Sequence, residues 1–283
     1  MAALLEKHGT APRMRRGPPG SCLLTLALLA SSPCSPIVAG DLRKPGVDLE
    51  LILAVDVSSS MSLAEQKIQR DGYVSAFRHP DLAWAIGSGA RGAIAVSYLE
   101  WAGPGHQHVV LPWTIVGSAE DAKRFADALA TKPIMAEAGT SISGGLLAAA
   151  GLLANSLASG ERRVIDISGD GPNNAGPPVG PVRDMLTSSG ITINGLPISL
   201  AHGASNGFQS FGRQYLSLYY EHCVIGGPDA FVIGIDDLAL FEVAIRRKLL
   251  LEIAGLPTRP RLASYAQPSA PAFDCSMPGT VPR

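Results

Sequence analysis

The stretch "LILAVDVSSSMSLAEQ", residues 51–66, runs from an apolar segment through Asp-Val-Ser-Ser-Ser into a helix signal. The helix start explains itself. Ser62-Leu-Ala-Glu65 is a capping box: the serine accepts from the third helical amide and the glutamate reaches back to the serine's own N–H. That leaves Asp56, Ser58 and Ser60 without a capping task. Their spacing of two aims them the same way wherever the backbone stays extended. Three oxygen groups converging at a strand end suit a hard cation such as Mg2+.

Working outward, apolar runs recur with helical segments between them. "LELILAV" (49–55), "GAIAVSYLEW" (92–101), "HVVLPWTIV" (108–116), "RRVIDIS" (162–168), "ITINGLPI" (191–198) and "AFVIGI" (230–235) predict six strands. The second and third are close enough to pair as a hairpin across "AGPGHQ", which makes the third an antiparallel edge strand. Helices are expected over 63–78, 119–130 and 141–157, where Ile142, Leu146, Ala149, Leu153 and Leu157 recur at helical spacing. Small residues in this third helix allow close packing on the sheet. Leu238, Phe241, Ile245, Leu249 and Ile253 form the stripe of a last helix. Near-continuous apolar strands alternating with helices predict an α/β fold. It is a doubly wound, mostly parallel six-stranded sheet with helices on both faces and one antiparallel edge strand.

In such a sheet, ligands bind beyond the carboxyl ends of the strands. "DVSSS" lies at that end of the first strand. "AGTSISGG" (138–145) puts Thr140 just before the Ala-rich helix, and "DISGDGPNN" (166–174) puts Asp170 just after the fourth strand. Taken singly, Thr140 reads as an N-cap and Asp170 as a turn aspartate before Gly171. Their coincidence with Asp56, Ser58 and Ser60 at one rim favours a shared ion.

Asp-x-Ser-x-Ser, a later Thr in a Gly-Thr-Ser context and an Asp-Gly after the next strand resemble the metal-ion-dependent adhesion site of the von Willebrand factor A domain. The resemblance spans about residues 48–255. "Asp-Val-Ser-Ser-Ser-Met" beside "Ser-Gly-Asp-Gly-Pro-Asn-Asn" further resembles an uncharacterised bacterial group of exported proteins with this domain. It implies that Ser58 and Ser60 bind Mg2+ directly, with Mn2+ or Ca2+ as alternatives. Thr140 would bind directly or through water, and Asp56 and Asp170 largely through water or by holding the serines. Carboxylates kept mostly in the outer shell leave the ion electron-poor, so it favours an Asp or Glu from a protein partner. The last helix would move with metal occupancy. This chain departs from the family at Gly169, where Thr or Ser is usual, so a hydroxyl that orients the outer shell is missing. Asp166 cannot replace Asp170, because four residues along a strand is about 13 Å. It is expected to pair with Arg162 or Arg163, or to face solvent at the opposite rim.

Other candidates are weaker. His106-Gln-His108 has the i, i+2 geometry of a zinc pair but sits at a hairpin without a third ligand nearby. Glu100 and Trp101 end the second strand at the same rim. An exposed tryptophan there would anchor a partner; core packing is the alternative. Asn173 and Asn174, just after Asp170, are read as rim residues that shape partner choice. Enzyme motifs are missing: no P-loop lysine follows "GTSISGG", and no Gly-x-Ser-x-Gly elbow occurs. A phosphoaspartyl hydrolase using Asp56 is the main enzymatic rival. That chemistry usually wants a second acid two residues on, where Ser58 stands.

The chain has 283 residues, 46% hydrophobic and 17% charged, with a net charge of −1, which offers no basic stripe for nucleic acid. Arg13, Arg15 and Arg16 precede "CLLTLALLA" (22–30) and then small residues, the pattern of an export signal, with Met14 an alternative start. Cleavage is expected after Ala39. The mature chain then keeps Cys223 and Cys275, expected to form a disulfide between the C-terminal tail and the loop before the last strand. The expected layout is a leader over 1–39, one domain over 40–257 and an extended tail over 258–283. The product is expected to be an exported, periplasmic or secreted, non-enzymatic protein without stable membrane insertion. A purely structural metal, with binding on another face, is the runner-up.

Overall fold

The computed structural model describes residues 43–200, 213–255 and 273–275. The expected leader and most of the expected tail lie outside the described residues.

Strand β1 (Gly46–Asp56) is followed by α1 (Leu63–Arg78), α2 (Pro80–Gly87), β2 (Ile94–Trp101), β3 (Gln107–Val116), α3 (Ala119–Ala130) and α4 (Ile142–Ala154). Then come β4 (Ser159–Gly169), α5 (Val179–Ser188), β5 (Thr192–Pro197), α6 (Arg213–Tyr219), a π-helical turn (Tyr220–Val224), a 3-10 turn (Leu238–Leu240) and α7 (Phe241–Ala254). The sheet order is β3-β2-β1-β4-β5. β1 runs parallel to both β2 and β4, β4 runs parallel to β5, and β3 is the antiparallel edge. With β1 in the middle, the chain crosses to one side for β2 and to the other for β4. The carboxyl ends of β1 and β4 are therefore neighbours, with Val55 opposite Ser168. A crevice at such a reversal is where an α/β sheet holds its ligands.

The period-two alternation of β1 feeds two cores. Leu49, Leu51, Leu53 and Val55 face a layer that includes Tyr73 and Phe77 of α1, Phe125 of α3, and Phe241, Ile245 and Leu249 of α7. Ile52 and Ala54 face the other layer, with Ile142 and Leu146 of α4, Val182 and Leu186 of α5, and Tyr219 and Tyr220. α4 lies close on the sheet because Gly145 has no side chain: a Cβ there would meet the Trp101 ring at 2.9 Å.

Two expectations change. Among the described residues the sheet has five strands. Segment 230–235 does run beside β5, with isolated parallel bridges Gly195–Val232 and Ile198–Ile235. Gly195 N–H bonds Phe231 O, Ile233 N–H bonds Gly195 O and Ile235 N–H bonds Pro197 O. The next rung would need an N–H at Pro197, and proline has none. The ladder is broken there.

Asp166 neither pairs with an arginine nor faces solvent. It is 1% exposed and forms an ion pair with Lys248 of α7 at 2.6 Å. Lys248 also pairs with Glu252 at 2.5 Å, one helical turn on. Arg162 instead donates to the Glu252 and Ile253 carbonyls at the end of α7, and Arg163 donates to Ser189 O.

Candidate functional site

Ser62 caps α1 as its sequence requires. Its side chain accepts from the Glu65 amide, and the Glu65 carboxylate accepts from the Ser62 N–H. The residues before it do something else. At the end of β1, Asp56 Oδ1 accepts the Ser58 N–H at 2.7 Å. Ser58 Oγ lies 2.8 Å from Ser60 Oγ, and Ser60 donates to Asp170 Oδ1 at 2.6 Å. Asp56, Ser58, Ser60 and Asp170 thus form one continuous chain across the β1–β4 crevice. Gln66 of α1 holds the turn from below, donating to the Ser58 and Met61 carbonyls.

Thr140 enters the same rim, anchored through its backbone. Its N–H donates to Asn174 Oδ1 at 3.0 Å, and its carbonyl accepts from the Asn174 and Ala175 amides. Asn173 Oδ1 accepts from the Ser143 N–H and hydroxyl, and the Asn173 N–H donates to Tyr219 Oη at 3.2 Å. The side-chain oxygens of both asparagines therefore brace the loop after β4 against the start of α4. Asn174 remains exposed and Asn173 is half-buried. On the other flank, Ser59 N–H bonds Glu137 O and Glu137 N–H bonds Val57 O, which ties the 133–139 loop to the serines.

Glu100 and Trp101 do not reach the surface. They are 1% and 0% exposed. The end of β2 is covered by the start of α4 and the residues before it: Ser141 N–H bonds Ala102 O, and Gly145 lies against the Trp101 ring. Glu100 pairs with Arg70, which also donates to the Leu129 and Lys132 carbonyls. Trp101 packs in the α4-side core, so the exposed-anchor reading is replaced by core packing. His106 sits in the β2–β3 turn, 3.9 Å from Glu137, and His108 is exposed on β3.

Burial governs the electrostatics of the rim. It pushes the Asp56 carboxyl up to about 8, and the nearby Asp170 charge adds to the effect. Burial also raises Asp170 to about 6, with Ser60 opposing as a donor. Asp56 Oδ2 is buried and has no hydrogen-bond partner among the described residues. The donors at this rim are three hydroxyls and two carboxylates, an all-oxygen set of the type hard cations take. An added positive charge there would relieve both the desolvation of the carboxylates and their repulsion. This donor set fits a hard divalent cation.

Gly169 has a steric reason for departing from Thr or Ser. A Cβ there would lie 2.8 Å from Tyr220 Oη and 2.9 Å from Asp56 Oδ2. Tyr219, the last residue of α6, and Tyr220, the first of the π-helical turn, carried no signal in the sequence. The Cys223–Cys275 disulfide is formed, with Cα atoms 5.5 Å apart. It ties the 273–275 segment to the π-helical turn that begins with Tyr220, not to a loop before a strand. Among the described residues no helix is long and apolar enough to cross a membrane.

Solved structures share the architecture. The pilus adhesin SpaC from Lactobacillus rhamnosus GG aligns with a TM-score of 0.53 at 15% identity, over 75% of this chain and 31% of its own. Proximal thread matrix protein 1 from the mussel byssus, with a zinc-occupied MIDAS motif, aligns with a TM-score of 0.50 at 16% identity, over 75% and 49%. The von Willebrand factor type A structure from Catenulispora acidiphila gives 0.48 at 16% identity, over 74% and 43%. This chain therefore spans half or less of their lengths. Identities this low show the fold alone, which is von Willebrand factor A-like. No curated protein sequence matches the chain. Residues 46–257 match the family described as "Protein of unknown function (DUF1194)", and the chain belongs to that family.

Proposed function

We propose that this is an exported, non-enzymatic binding protein that recognises a protein partner through a divalent cation held at the β1–β4 crevice. The observation that carries the reading is the Asp56–Ser58–Ser60–Asp170 chain, with a buried Asp56 oxygen at its start that has no partner among the described residues. Ser58, Ser60 and Thr140 would supply hydroxyls, and Asp56 and Asp170 the balancing charge. When bound, the cation offers a partner carboxylate an electron-poor ligand position. Mg2+ is the expected ion, with Mn2+ and Ca2+ as alternatives.

Several features support recognition over turnover. Similar folds occur in a pilus adhesin and in a byssal matrix protein. Ser58 stands where phosphoaspartyl chemistry wants an acid, and the buried Lys248 is engaged by Asp166 and Glu252. A cation serving only to fix the loops has less to do here, because Ser60–Asp170 and Thr140–Asn174 already join them. The disulfide fits an oxidising compartment and hence export.

The test is thermal unfolding of the metal-stripped chain against added Mg2+, Mn2+, Ca2+ and Zn2+, with Ser60→Ala and Asp56→Ala alongside. A site filled at ten times its Kd stabilises by about 1.4 kcal/mol. A saturable rise lost in both variants supports the reading. No rise, with calorimetric titration also silent, removes it. A folded Ser60→Ala variant that still captured a carboxylate-bearing partner would place the binding face elsewhere.

A further inference from the structure

Tyr220 is fully buried, and its ring lies in a slot made by two glycines. A Cβ on Gly195 of β5 would meet Tyr220 Cδ1 at 2.7 Å, and one on Gly169 of β4 would meet Tyr220 Oη at 2.8 Å. The slot therefore admits the phenol across the sheet as far as the end of β4. A phenylalanine would fill the same slot with the same apolar contacts, so packing explains the ring and leaves the hydroxyl unexplained. Tyr220 Oη has no hydrogen-bond partner among the described residues, and neither has Asp56 Oδ2. Both oxygens are buried, and both flank one point: the Cβ position of residue 169, at 2.8 Å and 2.9 Å. A buried polar atom without a partner is costly, and two that border the same point satisfy each other most cheaply.

We infer that Tyr220 is a positioning residue for the cation, donating its hydroxyl to Asp56 Oδ2, directly or through one water. Asp56 Oδ1 is already engaged by the Ser58 N–H. A donor on Oδ2 fixes the carboxylate's rotation and so aims the serine turn. The hydroxyl reaches the rim from the π-helical turn, 164 positions along the chain from Asp56, and the two glycines make room for it. This inference rests on the cation reading above.

The experiment is calorimetric titration of the metal-stripped chain with Mg2+, together with melting in the absence and presence of saturating Mg2+. Tyr220→Phe keeps the ring and removes the hydroxyl, and should weaken Mg2+ about tenfold, the scale on which outer-shell partners act. Its metal-free unfolding should stay cooperative, because the ring keeps its packing in the slot between Gly195 and Gly169. Gly169→Ala, which pushes a methyl between the two oxygens, should weaken Mg2+ as well. The double variant should be little worse than either single one, since both remove the same contact. Tyr98→Phe, which removes a buried tyrosine hydroxyl from the core on the other face of the sheet, serves as a control and should leave Mg2+ affinity within about twofold of wild type. Unchanged Mg2+ affinity in folded Tyr220→Phe overturns the role of Tyr220 and leaves the cation reading standing. A wild-type chain that binds no Mg2+, Mn2+ or Ca2+ overturns both.

Discussion

Ser60 donates to Asp170 at 2.6 Å across 110 positions of sequence, and this bond closes the crevice between the first and fourth strands. It brings a hydroxyl from a turn after β1 onto a carboxylate that follows β4. It helps bring the half-buried Asp170 beside the buried Asp56, whose ionised form the Asp170 charge disfavours. Under the proposed cation reading, the bond is part of an arrangement that gives up stability of the empty fold in favour of a ligand.

That trade-off predicts the behaviour of Asp170→Asn. The amide removes one of two like charges and can still accept from Ser60. The metal-free variant should melt at or above the wild-type temperature, while the rise on adding Mg2+ should disappear. Differential scanning calorimetry of both proteins, with and without metal, reads this directly. A variant that is destabilised and still responds to Mg2+ would remove Asp170 from the site.

The pH dependence follows from the same carboxyls. Asp56 is raised to about 8 and Asp170 to about 6, both chiefly by burial. A raised carboxyl binds more protons folded than unfolded. Its contribution to stability is fully present below the unfolded value of 3.8 and is lost as pH rises through the folded value. The metal-free chain should therefore lose stability between about pH 4 and pH 8. Mg2+ competes with those protons, so its stabilising effect at fixed concentration should be larger at pH 8 than at pH 5.5. Melting curves across that range would show it. An increment that shrinks as pH rises would contradict the site.

How much of this was legible in the sequence depended on distance along the chain. α1 matches its expected span of 63–78 because Ser62 and Glu65 are a local signal. The rim set was legible because each member sits beside a strand end or helix start. Segment 230–235 looked like a strand because its own residues are apolar; the broken ladder comes from Pro197 on its neighbour. Asp166 was misplaced for the same reason: its partner Lys248 lies on α7, and nothing near Asp166 announces it. Glu100 and Trp101 were read as rim residues from their place in β2, but the cover over that strand end comes from the start of α4 and the residues before it. α2 and α5 are short, and their apolar positions fall in runs too brief to show a period.

The disulfide should matter more than its place in the tail suggests. It closes a separation of 52 residues, for which chain entropy gives about 4 kcal/mol, with measured losses for native bridges of about 2–5 kcal/mol. It also seats Phe273, whose ring stacks on His222 at 5.2 Å and lies 5.8 Å from the Tyr215 ring. Cys275→Ser should lower the melting temperature by about 5–10 °C in a domain this size. The effect should reach the rim as well, because Tyr219, in the same cluster, accepts from the Asn173 N–H. Unchanged melting on reduction would mean that the segment contributes no fixed packing.

The buried triad of Asp166, Lys248 and Glu252 gives the sharpest stability contrast. Lys248 is 0% exposed and pairs with both acids, Asn194 donates to Glu252, and the Lys248 ammonium lies 5.2 Å from the Phe231 ring centroid. Burial raises the pKa of both carboxyls, and the lysine opposes it. Lys248→Met keeps most of the volume and leaves two buried acids without their cation. It should cost about 3–5 kcal/mol, the usual loss when one partner of a buried pair is removed. Because the stranded acids can then take up protons, the loss should be smaller at pH 5 than at pH 8. Adding Asp166→Leu and Glu252→Leu to Lys248→Met removes the stranded charge altogether and should recover most of the stability. Urea unfolding of the single and triple variants at the two pH values tests all of this together. A triple variant no more stable than the single one would show that the triad fixes the seat of α7 on the sheet, beyond balancing its own charge.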